Sequence, residues 1–252
     1  MAGQVMVQGR IIDKPGTLVS SSEEIEVRGR THNYVSRGGV KMEKAARDFA
    51  VDFQNKTVMD IGASTGGYTD YALQNGAAIV YAVDVGYGQL DWKLRNDARV
   101  VNLERTNIRY LDLSLIPELI DIVMIDVSFI STVKVFPVVR QVVKENGLVV
   151  CLVKPQFEAG RELVGKKGVV KDRRVHAQVL EKCIREAEKQ GLYCADITFS
   201  PITGPQGNIE FFILLKTTPC KGREIETYIA NTVAAAHNTL GGKSRDEDPA
   251  AE

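Results

Sequence analysis

The 252-residue sequence predicts an α/β fold on a mostly parallel sheet of seven strands. Three observations carry this. Short apolar runs alternate with stretches of helical periodicity, which argues for a parallel sheet flanked by helices. A glycine-rich turn follows the first core run directly, and an acid ends the next run. The composition, 44% hydrophobic and 25% charged with 22 Gly and 8 Pro, is that of an ordinary globular domain able to bury its own core.

The elements follow in order. Gln4 to Val7, Arg10 to Asp13 and Glu24 to Val27 read as short extended pieces around a Lys14-Pro15-Gly16 turn, too little to bury a core alone. Gly38 to Phe53 places Met42, Ala46, Phe49, Ala50 and Phe53 on one side of a helix. Then come a strand over Thr57–Ile61, a helix after Gly67, strands over Ile79–Val83, Val100–Leu103 and Ile120–Ile125, a helix over Thr132–Lys144 and a strand over Leu148–Val153. A helix capped by Asp172 runs to Gln190 before Gly191. Strands at Ala195–Phe199 and Ile209–Lys216 can pair as an antiparallel edge, and an amphipathic helix from Gly222 to Leu240 stops at Gly241-Gly242. The expected divisions are a first module over 1–30, a linker over 31–37, the main domain over 38–242 and a charged tail over 243–252.

Thirty-two basic side chains against thirty-two acidic ones give no net charge, so nucleic-acid binding has to rest on local patches. Cys151, Cys183, Cys194 and Cys220 form no C-x-x-C pair, and His32, His176 and His237 have no second ligand at helical or hairpin spacing, so neither a structural metal nor a disulfide framework is expected. No run approaches the roughly 18 apolar residues of a membrane helix. Without a basic-then-apolar signal pattern either, a reducing cytoplasm is the expected compartment and no membrane partner is expected. The sequence leaves the oligomeric state open.

The run VMDIG leads into Ala63-Ser64-Thr65-Gly66-Gly67, and the next strand ends in Asp84, twenty-two positions after Gly62. Glycines let a backbone turn sharply against a ligand, a helix start offers free N–H groups, and an acid at the neighbouring strand end accepts ribose hydroxyls. The position two after Gly62 is Ser64, which departs from a dinucleotide fingerprint, and no Gly-Lys-Ser/Thr follows, so the loop suits an adenosine without a pyrophosphate. S-adenosylmethionine is such a ligand, with Asp60 able to hold its ammonium directly or through water. Asp60, Gly62, Ser64, Thr65, Gly66, Gly67, Asp84 and Asp126 are the expected cofactor contacts.

Four charged residues stand where open sheets put ligands. Asp126 closes the run IVMI, Lys154 closes VVCLV, Glu210 opens IEFFILL, and Lys41 lies on the first long helix. Each alone reads as a solvated terminus or plain surface. Together, two lysines and two acids suit the deprotonation of an alcohol beside a cation, because a lysine acts as a base when neighbouring positive charge and burial lower its pKa.

The segments YVSRGGVKMEKA, VMDIGASTGGYTD, YAVDVGYGQLDWKLR, LERTNIRYL, MIDVSFIS, LVKPQFEAGRE and GPQGNIEFF resemble the TlyA group of FtsJ-like RNA methyltransferases, also known as hemolysin A, over roughly residues 1 to 216. The resemblance implies a Rossmann-like fold and S-adenosylmethionine-dependent methylation of ribose 2′-hydroxyls, cytidine in the family, in ribosomal RNA or ribosomal subunits. It maps the family's Lys-Asp-Lys-Glu tetrad onto Lys41, Asp126, Lys154 and Glu210. Lys154 would then be the base and Asp126 would orient it near the methyl donor, with Lys41 and Glu210 positioning the hydroxyl and Lys154. The opening residues, MAGQVMVQGRIIDKPGTLVSSSEEIEV, resemble the second half of the RNA-binding module of ribosomal protein S-four and pseudouridine synthases. In the family two basic helices precede this point, so a partial module is expected.

The one locally basic stretch, Lys154 to His176, offers Arg161, Lys166, Lys167 and Lys171 to RNA phosphates, with Gly160, Gly165 and Gly168 letting it move. Arg37 before Gly38-Gly39 is a further expected phosphate contact. Two other readings compete. A membrane-active hemolysin is disfavoured by the lack of a signal, a spanning helix or a strongly basic amphipathic helix. A non-catalytic RNA-binding assembly factor is disfavoured by the complete tetrad.

Overall fold

The computed structural model describes residues 5–12, 17–27, 32–219 and 224–241. The expected Lys14-Pro15-Gly16 turn, Cys220, the Gly222 helix start, Gly242 and the tail over 243–252 lie outside the described residues. Two units divide the chain, Met1–Asn33 with Gly241–Glu252 and Tyr34–Leu240.

In the first unit β1 (Val5–Val7), β2 (Arg10–Ile11) and β3 (Ile25–Val27) form a three-stranded antiparallel sheet in the order β2-β1-β3.

The second unit opens with α1 (Gly38–Asp48), followed by β4 (Thr57–Ile61), α2 (Gly67–Gln74), β5 (Ile79–Val83), α3 (Trp92–Arg95), β6 (Val100–Leu103) and β7 (Ile120–Ile125). It continues through α4 (Phe136–Val142), β8 (Val143–Val153), α5 (Pro155–Glu158), α6 (Arg173–Glu188), β9 (Tyr193–Phe199), β10 (Phe211–Lys216) and α7 (Ile225–Leu240). The seven strands run in the order β6-β5-β4-β7-β8-β10-β9. All pairs from β6 to β8 are parallel, and β10 is antiparallel to both its neighbours.

Strands buried on both faces read as continuous apolar runs, and the alternation of their side chains divides the core in two. Val58, Val80, Ala82, Met124, Val150 and Leu152 point to the face covered by α1, α2 and α3. Met59, Ile61, Val83, Ile125, Cys151 and Val153 point to the face covered by α4, α6 and α7. Cys151, Cys183 and Cys194 are buried thiols. Among the described residues no helix is long and apolar enough to cross a membrane.

The expected fold class is what forms, with local corrections. The first helix ends at Asp48, five residues before Phe53, because Ala50 takes a left-handed φ of 51° and the Val51 N–H reaches back to the Ala46 carbonyl at 2.9 Å. Phe53 stays in the core from the turn beyond. The expected helix over Thr132–Lys144 is a 3₁₀ turn at Thr132–Lys134 and then α4, and the chain extends from Val143. There Val143 pairs with Ile120 and Lys144 forms an ion pair with Asp121 at 2.8 Å, so sheet pairing overrides helical propensity. The last two strands pair antiparallel as expected, but β10 is inserted inside the sheet and β9 forms the edge. Glu210 lies just ahead of β10, its carbonyl accepting from the Ser200 N–H at 2.9 Å.

Candidate active site

The site lies at the carboxyl ends of β4, β5, β7 and β8. Between β4 and α2 the chain turns through Gly62 at φ 88°, Ser64 at φ 49° and Gly66 at φ 96°. A side chain at Gly62 would overlap the Asp126 carbonyl oxygen, so this glycine lets β4 and β7 exit in contact. At Gly66 one would overlap Leu94, and at Gly67 the Ser36 hydroxyl. Asp84, after β5, accepts the Ser64 N–H at 2.8 Å and the Gly86 N–H at 2.7 Å, fixing the loop. Thr65 shapes it from the other side, its carbonyl accepting the Asp91 N–H at 3.1 Å.

Asp60 is buried on β4. Its Oδ2 accepts from the Thr69 backbone at 3.0 Å and the Thr69 hydroxyl at 2.7 Å, while Oδ1 has no hydrogen-bond partner. Burial pushes its carboxyl up to about 7 against the opposing Thr69 bonds, and the charges of Asp126 and Asp84 add to the rise.

The four charged residues form two ion pairs. Lys154 Nζ stands 2.6 Å from Asp126 Oδ1 and donates to the Ser128 hydroxyl at 2.8 Å. Lys41 Nζ stands 2.6 Å from Glu210 Oε2, with Glu210 fully buried. Register brings the pairs together: Phe211 sits opposite Val153 in antiparallel strands, so Glu210, preceding it, faces Lys154, which follows Val153. Gln156, two residues beyond Lys154, donates to Glu210 Oε1 at 3.4 Å. Each lysine thus meets an acid in a nearly closed environment, where pairing offsets the cost of burying charge.

The expected RNA contacts are all exposed. Arg37 flanks α1 and donates to the Thr203 carbonyl at 3.4 Å. Arg161, Lys166, Lys167 and Lys171 lie on the segment after α5, and among the described residues none of the four forms an ion pair. The segment is anchored at its far end: Asn208 Oδ1 accepts the Val170 N–H at 3.1 Å, Asn208 Nδ2 donates to the Gly168 carbonyl at 2.9 Å, and His176 Nε2 lies 3.0 Å from the Val170 carbonyl. His176 Nδ1 also lies 2.9 Å from His237 Nε2, a pairing that spacing does not reveal. Among the described residues no group of three or more His, Cys, Asp or Glu could hold a metal.

Sequence reasoning missed Ser128, Gln156, Tyr68, Phe129 and Glu158. Phe129, three residues after Asp126, is 92% exposed at a left-handed φ of 64°, its ring 5.2 Å from that of Phe157. A large aromatic held out in a strained conformation beside a site is a detectable signal only once the backbone is known.

The whole second unit up to β10 fits one family model, the FtsJ-like methyltransferase, over residues 34–217. The chain belongs to the FtsJ-like methyltransferase family. YqxC of Bacillus subtilis, named provisionally as an rRNA methyltransferase, is 48% identical over 251 residues, covering 98% of this chain and 89% of YqxC. The 16S/23S rRNA (cytidine-2′-O)-methyltransferase TlyA of Mycobacterium tuberculosis is 43% identical over 217 residues, covering 86% of this chain and 81% of that protein. A solved structure from Streptococcus thermophilus, named provisionally as a hemolysin, superposes with a TM-score of 0.83 at 44% identity, covering 96% of this chain and 88% of the other.

As an FtsJ-like methyltransferase the chain is an enzyme and its cofactor is S-adenosylmethionine. The residues fit that group. The left-handed glycine loop brings the backbone between β4 and α2 close to the β7 exit, Asp84 lies at the β5 end, and Asp60 Oδ1 is a buried acceptor without a partner.

Proposed function

We propose that this FtsJ-like enzyme methylates ribose 2′-hydroxyls of ribosomal RNA, at cytidine, in the cytoplasm, with Lys41, Asp126, Lys154 and Glu210 as its catalytic set. The observation that carries this is the two partly buried ion pairs, Lys154 with Asp126 and Lys41 with Glu210, facing each other beside the glycine loop. The names of the relatives favour the same RNA and the same hydroxyl.

When bound, S-adenosylmethionine supplies an electrophilic methyl group. Asp60 would take the ammonium of its amino-acid end, Gly62, Ser64, Thr65, Gly66 and Gly67 would line the bend, and Asp84 would accept the ribose hydroxyls. Lys154, in its neutral form, takes the proton of the RNA 2′-hydroxyl, and Asp126 holds the resulting ammonium at ion-pair distance. Lys41 and Glu210 position the hydroxyl and Lys154 from the β10 side. The bound cofactor would offer its methyl carbon to the 2′-oxygen, and what these residues contribute is chiefly orientation. Arg37, Arg161, Lys166, Lys167 and Lys171 contact RNA phosphates, and the small sheet of the first unit is part of an S-four-type RNA-binding module.

The test is label from methyl-labelled S-adenosylmethionine incorporated into separated, unmodified ribosomal subunits by the wild type and by Lys154→Ala. Lys154-dependent label that protects the adjacent phosphodiester from alkali is the expected result. Label elsewhere than a ribose, or independent of Lys154, would overturn the assignment.

A further inference from the structure

Buried polar side chains almost always find a hydrogen-bond partner, so a cluster of exceptions points to a ligand. Asp60 Oδ1, the Tyr68 hydroxyl and Gln156 Oε1 are such exceptions, and all three belong to the site just described. Two of them accept. Tyr68 is the one that can donate.

Tyr68 follows Gly67 in the first turn of α2 and is 3% exposed. Its ring packs near Phe212 of β10, with centroids 6.5 Å apart, and against Gly38 of α1. Burial holds its hydroxyl well above the ordinary phenol range, and the nearby charges of Asp126, Glu210 and Asp60 hold it higher still. The phenol therefore stays protonated, a buried donor without a partner in the field of three acids. The two lysines of the site are committed, Lys41 to Glu210 and Lys154 to Asp126 and Ser128. With Asp126 and Glu210 already paired to lysines, the phenol is the donor left for an incoming hydroxyl oxygen.

We propose that Tyr68 is a further catalytic residue, its hydroxyl donating a hydrogen bond to the ribose 2′-oxygen as that oxygen passes its proton to Lys154. The inference rests on the reading of Lys154 as base. The bond strengthens as charge develops on the oxygen, so it favours the transition state over bound substrate. The proton moves from oxygen to the lysine nitrogen, the oxygen–carbon bond forms, the carbon–sulfur bond breaks, and Tyr68 keeps its own proton throughout.

The experiment compares wild type, Tyr68→Phe and a chain carrying 3,5-difluorotyrosine at position 68, using unmodified ribosomal subunits and methyl-labelled S-adenosylmethionine. Cofactor affinity is measured separately by calorimetry. For Tyr68→Phe the expected result is a fall in kcat of about 100-fold, the scale of one lost transition-state donor. KM for the subunits and Kd for S-adenosylmethionine should stay within about two-fold. The melting temperature should hold or rise, since an unpartnered buried hydroxyl has been removed. The difluorotyrosine chain, which keeps the hydroxyl and makes it a stronger donor, should match or exceed wild type, and this arm decides the matter if the Phe variant does not fold. Unchanged kcat in Tyr68→Phe, a loss confined to cofactor affinity, or a folded difluorotyrosine chain slower than wild type by about ten-fold or more would each overturn the inference while leaving Lys154 in its role. A wild type that transfers no label to ribose would overturn both.

Discussion

Glu158 accepts two hydrogen bonds from Thr132, one from its backbone N–H at 2.7 Å and one from its hydroxyl at 2.9 Å. A third comes from the Ser131 hydroxyl at 2.6 Å. Glu158 lies four residues after Lys154, and Thr132 six after Asp126, so this buried carboxylate ties together the exits of β8 and β7, which carry the Lys154–Asp126 pair. Glu158→Ala would strand three donors and should lower stability by about 2–4 kcal/mol, with kcat falling further than the unfolded fraction explains. Glu158→Gln should cost less, because the amide oxygen can keep both bonds from Thr132 while the Ser131 hydroxyl turns to accept from the amide N–H. Urea denaturation of both variants beside single-turnover methylation checks this, and equal stabilities for Ala and wild type would sink it.

Gly62→Ala should damage more than cofactor binding. The new methyl group meets the Asp126 carbonyl, and φ of 88° is strained for any L side chain, so β7's exit has to move. The expected outcome is loss of S-adenosylmethionine affinity by at least about ten-fold together with loss of kcat at saturating cofactor. Calorimetry and initial rates separate the two, and a variant impaired in affinity alone would contradict the shared-contact argument.

Most of the fold was legible because strands buried on both faces leave uninterrupted apolar runs such as Ile120–Ile125 and Leu148–Val153. Long-range pairing was not. The extension of β8 back to Val143 depends on Ile120 and Asp121, more than twenty residues earlier, and the insertion of β10 between β8 and β9 depends on which strand edge was free. The same limit shaped the site. Lys154 and Asp126 stand out because a charge ends an apolar run, whereas Tyr68 reads as one more aromatic on a helix. Glu158 reads as one more surface acid until its partners, more than twenty residues away, are known.

Phe129→Ala should leave stability within about 0.5 kcal/mol of wild type, because an exposed ring contributes little to the core. It should raise KM for ribosomal subunits several-fold, with S-adenosylmethionine affinity unchanged. The reasoning is that exposed aromatics beside an RNA-modifying site serve to stack on unpaired bases, worth about 1–3 kcal/mol per base. Thermal melts and steady-state rates are the measurements, and a wild-type KM in Phe129→Ala would remove the base-stacking role.

Two buried groups should pull stability in opposite directions over the same pH range. Asp60 titrates at about 7 in the fold against an ordinary value near 3.8, so the folded state holds the extra proton and its contribution is lost as pH rises from about 4 to 7. His176 is lowered from 6.5 to about 4, by burial first and by His237 second, so the unfolded state holds the extra proton and stability grows with pH from about 4 to 6.5. In wild type these slopes partly cancel. Asp60→Asn, whose amide oxygen can still accept from Thr69, should expose a steeper rise in urea midpoint between pH 5 and 7. Because the proposed ammonium contact requires the Asp60 carboxylate, wild-type affinity for S-adenosylmethionine should also increase as pH climbs toward 7, and the Asn variant should lose that dependence. Parallel wild-type and Asn profiles in both measurements would mean that Asp60 ionises normally in the fold and that its burial is relieved by a partner outside the hydrogen bonds to Thr69.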